Sequence, residues 1–301
     1  MKVYELTERL LERYPLADAE SWDQNGLLAG NPLQEITGVA VALDATAETI
    51  KLAYEAGANV LVTHHPLALK GPVRIGPALY QQSIREIDLT SAAAEEREAH
   101  GSQGSTLSDT VAAAHFTQCA HPGAAYWAAA EHNVAVISMH TNLDRSPFAQ
   151  TVFPNYFGLT YEGPLECPEN APSTGRLGQV CTPSRDLTLY ELCTEIYQKV
   201  RRRPRVWGDP TRRIGKIAIS SGAGGSLIND VIAQGCEVLI TGECSYHTCV
   251  EIESNNVALI LLGHDVSELP YVAFLTEELT QLGLDSSLLR PINEPVRWWT
   301  V

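Results

Sequence analysis

The stretch "VAVALDATAETIKLAYEAGANVLVTHH", residues 39–65, places a short apolar run on each side of an alanine-rich segment of helical length. A strand, a helix and a second strand in this order form a βαβ unit, whose two strands lie parallel. Similar strand-like runs alternate with helical segments elsewhere in the chain, namely "VAVISMHTNLD", "IGKIAISSG", "CEVLITGE" and "VALILLGHD". The sequence therefore predicts an α/β fold with mostly parallel or mixed sheets.

The second half of the chain repeats this unit. The stretch "IAISSGAGGSLINDVIAQGCEVLITGE", residues 217–243, aligns with residues 39–65 without a gap, at a constant offset of 178 residues. The identical pairs include Ala40/Ala218, Ala45/Ala223, Ile50/Ile228, Val60/Val238, Leu61/Leu239 and Thr63/Thr241. Internal similarity of this kind predicts two related α/β lobes, which we expect to face each other across a metal site.

Composition predicts the domain boundaries. A Pro/Gly-rich stretch at 162–178 is typical of a connection, so we expect a first lobe at 1–161 and a second at 179–301. The segment at about 89–119 contains few large apolar residues and is expected to be an irregular insertion.

Charge and cysteine usage narrow the classes of function. The net charge is −15 and the largest basic cluster is the short "RRRPR" at 201–205, so duplex nucleic acid is not an expected partner. The start "MKVYELTERLLERY" predicts an amphipathic helix rather than a signal peptide, and no apolar run reaches the ~20 residues of a membrane span. The seven cysteines form no C-x-x-C pair, which argues against a disulfide framework and a thiolate zinc site. We expect a cytoplasmic protein.

Four predicted strands end in imidazole or carboxylate groups. These residues are His64 and His65, His140 and Asp144, Glu243 and His247, and His264 and Glu268. Ligands of α/β sheets bind beyond the carboxyl ends of the strands, and this donor set suits divalent zinc, manganese, iron, cobalt or nickel. Adjacent histidines on an extended backbone face opposite ways, so His64 and His65 could each reach one of two metals.

Each feature also has a structural interpretation. A lone histidine more often makes a structural hydrogen bond, and Asp144 or Glu268 would oppose the dipole of a helix. If "HDVSE" is helical, however, His264 and Glu268 fall on one face and can converge on one centre. The glycine-rich "SSGAGGS" at 220–226 lacks the nucleotide-binding motifs, which favours a close strand–helix turn over a phosphate cradle.

Six segments, taken in order, resemble the NGG-interacting-factor-three-like family of dinuclear metal-centre proteins, often labelled GTP cyclohydrolase 1 type 2 homologues. They are "SWDQNGLLAG" (21–30), "THHPL" (63–67), "HTNLD" (140–144), "SGAGGS" (221–226), "TGECSYH" (241–247) and "GHDVSE" (263–268). The resemblance implies a two-lobed protein assembled as a hexameric toroid, with two divalent metal ions per chain facing an internal cavity. It implies the ligands His64, His65, Asp144, His264 and Glu268, with Glu268 bridging both ions.

The chain departs from the family pattern in two places. Gln24 and Asn25 follow Asp23 where the family usually has a valine or similar residue before its glycine. The segment at 89–119 matches no familiar pattern and is interpreted as a lid or an assembly element.

Three functions are compatible with these residues. The first is a metal-dependent hydrolase, in which two cations activate a water that attacks a nucleotide C–N or phosphoester bond, as the family label suggests for GTP. His140, Glu243 and His247 would then supply acid/base chemistry or orient the substrate. The second is a metal-binding scaffold or regulatory protein, and the third is a metal-free domain. Five ligands for two metals leave positions open for water, which favours the hydrolase.

Overall fold

The structure is a computed structural model that describes residues 1–70, 75, 122–169, 171, 175–295 and 297. The predicted insertion at 89–119 lies outside these residues. The chain divides into two compact units, the first comprising Met1–Tyr4, Leu27–Ser138 and Ser287–Val301, and the second Glu5–Gly26 and Met139–Ser286. These bounds differ from the predicted division because both units contain segments that are distant in sequence.

The first unit contains a four-stranded sheet of order β1-β4-β3-β2. Its strands are β1 (Gly26–Ala29), β2 (Val39–Ala42), β3 (Val60–Thr63) and β4 (Ala135–Ser138). Helix α2 (Ala47–Glu55) follows β2, and helix α3 (Gly123–Glu131) precedes β4. Alanines of both helices join the strands in one buried core, and their small side chains let the helices pack closely against the sheet.

The second unit contains a six-stranded sheet of order β5-β6-β10-β11-β12-β8 and a two-stranded sheet of β7 and β9. The strands are β5 (Thr160–Pro164), β6 (Gln179–Thr182), β7 (Leu187–Thr188), β8 (Arg205–Trp207), β9 (Arg213–Ile214), β10 (Ile217–Ala223), β11 (Val238–Glu243) and β12 (Ala258–Leu261). Both parallel and antiparallel pairs occur in the larger sheet, which is therefore mixed.

Seven α-helices of the second unit lie between residues 141 and 281 in the described part of the chain. They are α4 (Thr141–Asp144), α5 (Val152–Phe157), α6 (Leu189–Val200), α7 (Ile228–Ala233), α8 (Tyr246–Ser254), α9 (His264–Glu268) and α10 (Pro270–Gln281). Of these, α8 and α9 follow β11 and β12, the strands that lead to Glu243, His247, His264 and Glu268. Short 3₁₀ helices occur at Leu16–Asp18, Ala149–Thr151, Gly224–Leu227 and Ser286–Leu288. The predicted N-terminal amphipathic helix is confirmed as α1 (Val3–Arg13), which buries Val3, Leu6 and Leu10.

The predicted internal repeat is confirmed by strand register. Strands β2 and β3 pair parallel with Val39 opposite Val60, and β10 and β11 pair parallel with Ile217 opposite Val238. Both pairs keep the offset of 178 residues seen in the sequence. The chain thus folds the same βαβ unit twice, once in each compact unit.

The Pro/Gly-rich stretch predicted as a connection begins inside a strand. Residues 162–164 belong to β5, which pairs antiparallel with β6, and the register shifts between Tyr161 and Gly163. Gly163 and Pro164 therefore lie in an irregular strand of the second unit, and only the described residues of the stretch after Pro164 form the expected loop. The six cysteines in the described part of the chain are free thiols. Among the described residues, the helices are too short or too polar to cross a membrane.

Candidate metal centre

The two adjacent histidines of the first unit follow directly after β3. The rings of His64 and His65 lie with centroids 5.1 Å apart, and their planes are tilted by 41° to each other. The hydroxyl of Ser138 donates to the carbonyl of His64 at 2.8 Å, and that of Thr63 donates to the carbonyl of His65 at 2.7 Å. These bonds fix the backbone at the point where the strand ends.

A carboxylate determines which ring nitrogen His65 presents. Nδ1 of His65 lies 2.7 Å from Oδ1 of Asp44, which follows β2, the strand beside β3. Burial opposes ionisation of Asp44, but the hydrogen bond and charge of His65, aided by Arg297, outweigh it and lower the pKa of Asp44. Carboxylates pair in this way with the outer nitrogen of metal-ligating histidines, which leaves Nε2 as the donor to a metal.

The second unit holds a histidine and a glutamate on one face of α9. The segment "HDVSE" is helical, which is the condition under which the two residues share a face, and Nε2 of His264 lies 3.2 Å from Oε2 of the buried Glu268. Two donors each ~2.1 Å from one cation are separated by roughly 3.0–3.4 Å, so this pair fits a shared metal ion. Nδ1 of His264 lies 2.9 Å from Oε1 of Glu243, at the end of β11, which again leaves Nε2 as the donor.

A glycine makes the space for this pair. Gly222 has φ +58°, and a Cβ at this position would overlap Oε1 of Glu268 and lie 3.3 Å from Nε2 of His264. Its backbone N–H donates to the hydroxyl of Ser267 at 2.9 Å, which ties the "SGAGGS" loop to α9. The loop is the close turn that the sequence favoured, and it also shapes the surroundings of Glu268.

Asp144 lies at the end of α4, where it interacts with a buried tyrosine that the sequence analysis did not single out. Tyr271 on α10 is 1% exposed and is hydrogen-bonded to Asp144. Burial raises the pKa of Tyr271, and the charges of Asp144 and Glu268 raise it further, so the phenol stays protonated. Asp144, Glu268 and Tyr271 thus act on one another electrostatically within the second unit.

The buried carboxylate of Asp23 holds the imidazole of His140. Nδ1 of His140 lies 2.8 Å from Oδ1 of Asp23, and the amide of Asn25 accepts a hydrogen bond from the backbone N–H of His140 at 2.7 Å. Trp22 packs edge-on against the imidazole, with ring centroids 6.0 Å apart. The "SWDQN" segment therefore positions His140, which explains a motif to which the sequence alone assigned no task.

The remaining predicted site residue is more exposed. His247 lies in the first turn of α8, and its ring packs edge-on against Tyr246 with centroids 6.0 Å apart. Its assignment to catalysis stays a prediction. Side chains in the described part of the chain that could hold a metal ion include His64, His65, His140, His264 and Glu268.

Sequence comparisons find relatives over nearly the whole chain. A protein named "GTP cyclohydrolase 1 type 2 homolog" from Streptomyces coelicolor is 28% identical over 277 residues, covering 90% of this chain and 82% of the relative. A protein of the same name from Campylobacter jejuni is 28% identical over 289 residues, covering 94% of both chains.

Solved structures share the fold. A Bacillus cereus protein described as related to NIF3 matches with a TM-score of 0.77 and 15% identity, covering 100% of this chain and 99% of the other. A Staphylococcus aureus protein, SA1388, matches with a TM-score of 0.73 and 21% identity over the same shares. The model of the Duf34/NIF3 (NGG1p interacting factor 3) family matches residues 1–89 and 113–289, and the chain belongs to that family.

Proposed function

We propose that the protein is a dinuclear metal-dependent hydrolase. The proposed ligands of its two divalent metal ions are His64, His65, Asp144, His264 and Glu268. The observation that carries the proposal is the pairing of a carboxylate with Nδ1 of two proposed ligands, at 2.7 Å in His65 and 2.9 Å in His264. Such pairing fixes the tautomer with Nε2 as the donor, as in metal-ligating histidines.

When bound, such ions polarise substrate oxygens and increase the acidity of water. The chain's own residues are proposed to orient and exchange protons around them. Glu243 holds the His264 ring, and Asp23 holds His140 so that its Nε2 can accept or donate a proton. The hydroxyl of Tyr271, kept protonated by burial, donates to Asp144 and holds that carboxylate in place. His247 is proposed to orient the substrate.

A nucleotide is the proposed substrate. The name of these relatives, GTP cyclohydrolase 1 type 2 homolog, supports a C–N or phosphoester bond of a nucleotide as the site of attack. We also propose, from family membership, that the chain acts as a cytoplasmic homo-hexamer, which light scattering after size exclusion would test. A mass of one chain or of a dimer would contradict the hexamer.

The experiment is metal analysis combined with a hydrolysis screen. Protein purified without chelator should contain close to two divalent metals per chain, and Glu268→Ala should lose most of them. Glu55→Ala, which removes an exposed carboxylate from α2, is the control and should keep them. Nucleotides and phosphoesters would then be screened with the loaded protein. Absence of metal after incubation with zinc, manganese and iron would refute the site. Two metals without hydrolysis would refute the enzyme and favour a metal-binding scaffold.

A further inference from the structure

A groove of about 560 Å³ lies on the second unit, away from the residues discussed so far. One face of α6 contributes Tyr190, Cys193, Thr194 and Tyr197, whose spacing of i, i+3, i+4 and i+7 lines a single helix face. The segment 203–210 contributes the other main lining residues, namely Arg203, Pro204, Val206, Gly208 and Pro210.

The groove exposes large apolar side chains. Tyr190 is 69% exposed, and Tyr197 and Val206 are each 40% exposed. Scattered exposed apolar residues are ordinary, but two tyrosines and a valine that line one concavity with two prolines form a patch typical of an interaction site. Tyrosine contributes a large contact area at a small entropic cost, which makes it a common anchor residue.

The groove adjoins the edge of a sheet. Strand β8 is the last strand of the six-stranded sheet and pairs antiparallel with β12, with Val206 opposite Ile260. Gly208 brings the end of this strand close to α6, since a Cβ there would lie 2.9 Å from Ala258 and 3.1 Å from Leu189. Among the described residues β8 has no second strand beside it, so its outer edge can pair with an added extended segment.

The positive charge beside the groove favours an acidic ligand. Four arginines occur within 201–205, and Arg201, Arg203 and Arg205 are exposed, whereas the chain as a whole carries a net charge of −15. Asp209 is the acid nearest in sequence, and it accepts hydrogen bonds from the backbone N–H and the hydroxyl of Thr211 at 2.8 and 2.7 Å. A local basic patch on an acidic protein attracts acidic segments and repels basic ones.

We propose that this groove binds an extended acidic peptide segment of a partner protein. The peptide backbone pairs with β8, an apolar side chain packs between Tyr190 and Tyr197, and a flanking carboxylate meets Arg203 in the groove. The neighbouring Arg205 adds to the local positive charge. Single-stranded nucleic acid also uses aromatic and arginine side chains, but the acidic chain and the exposed strand edge favour a peptide. The proposal is independent of the metal centre.

The test is fluorescence anisotropy with a short labelled peptide that has a Val-Tyr-Val centre and Glu/Asp flanks. We expect saturable binding that weakens with salt and is at least about tenfold weaker for the double variant Arg203→Glu/Arg205→Glu. Lys51→Glu, a single charge reversal on α2 of the first unit that matches either arginine change taken alone, should leave the affinity unchanged. Tyr197→Ala should weaken peptide binding without a change of charge. If the double variant does not fold, the affinity of Tyr197→Ala tests the proposal.

Three outcomes would overturn the proposal. They are a failure of the acidic peptide to saturate, equal binding by wild type and both groove variants, and tighter binding of an oligo-dT probe than of the peptide. A peptide with Lys flanks should not bind, because the arginines would repel it.

Discussion

Nδ1 of His140 lies 2.8 Å from Oδ1 of Asp23, whose side chain is fully buried. The other carboxylate oxygen accepts from the backbone N–H of Thr141 at 3.0 Å and from Nδ2 of Asn25 at 2.8 Å. Burial alone would favour the neutral acid, but the bond to His140 and these further donors outweigh it and lower the pKa of Asp23. A carboxylate held so firmly sets both the tautomer and the angle of the imidazole.

The change Asp23→Asn should impair turnover more than metal binding. Because the amide cannot hold the imidazole in the same charged pair, we expect the hydrolysis rate to fall roughly 10- to 100-fold while the metal content stays near that of wild type. Asp186→Asn, on the exposed surface, is the control. Loss of metal in Asp23→Asn would show that His140 is a metal ligand. An unchanged hydrolysis rate would show that His140 takes no part in the reaction.

Gly222→Ala should displace Glu268. The new methyl group would overlap Oε1 of that carboxylate, so we expect at least about tenfold weaker metal binding, measured by titration of the apo-protein. Gly235→Ala is a matched control, because Gly235 has φ +65° and a Cβ there would meet no atom within 4 Å. Both changes should cost about 1–2 kcal/mol of stability from backbone strain. Equal metal affinity of the two variants would refute this role of Gly222.

Arg145 should be a large stability determinant. Its guanidinium is 2% exposed and lies 2.6 Å from Glu166 and 2.5 Å from Glu20. Replacement by methionine leaves two carboxylates without their counter-charge, one of them buried, so we expect a loss of about 3–5 kcal/mol in urea unfolding. Arg185→Met breaks an exposed pair with Glu195 at 2.5 Å and should cost no more than about 1 kcal/mol. Similar losses in both variants would contradict the difference in burial.

Cys181 should make the protein sensitive to alkali. Burial raises the pKa of its thiol from 9.0 to about 12, so the unfolded chain loses this proton at lower pH than the folded one. Stability from this group is complete below pH 9.0 and falls as the pH rises towards about 12, by up to about 1.4 kcal/mol per pH unit. Urea unfolding from pH 8 to 11 should show a flatter decline in Cys181→Ala than in wild type. Parallel curves would exclude this thiol as the cause.

Local patterns in the sequence predicted the elements, and long-range pairing determined how they are grouped. The βαβ units and α1 follow from hydrophobic periodicity and turn residues within a few positions of each other. The assignment of 287–301 to the first unit depends instead on contacts such as the 2.8 Å bond from the backbone N–H of Arg290 to the carbonyl of Val39. A single sequence shows no sign of that pairing.

The same limit applies to the candidate site. The ligands could be proposed because strand ends of a parallel sheet carry the functional residues. Asp23 and Asp44 could not be separated from solvated loop acids, since only the fold shows that each meets an imidazole. Tyr271 resembled any other residue on an apolar helix face, and its bond to Asp144 is evident only in three dimensions.

The constant offset of the repeat places Gly242 of the second unit at the position held by His64 in the first. A Cβ at Gly242 would lie 2.5 Å from the carbonyl oxygen of Gly222 and 2.8 Å from Cα of His264. The second copy therefore leaves no room for a side chain at this strand end, because the helix that carries His264 and Glu268 packs against the backbone there. A histidine introduced at position 242 would exclude that helix.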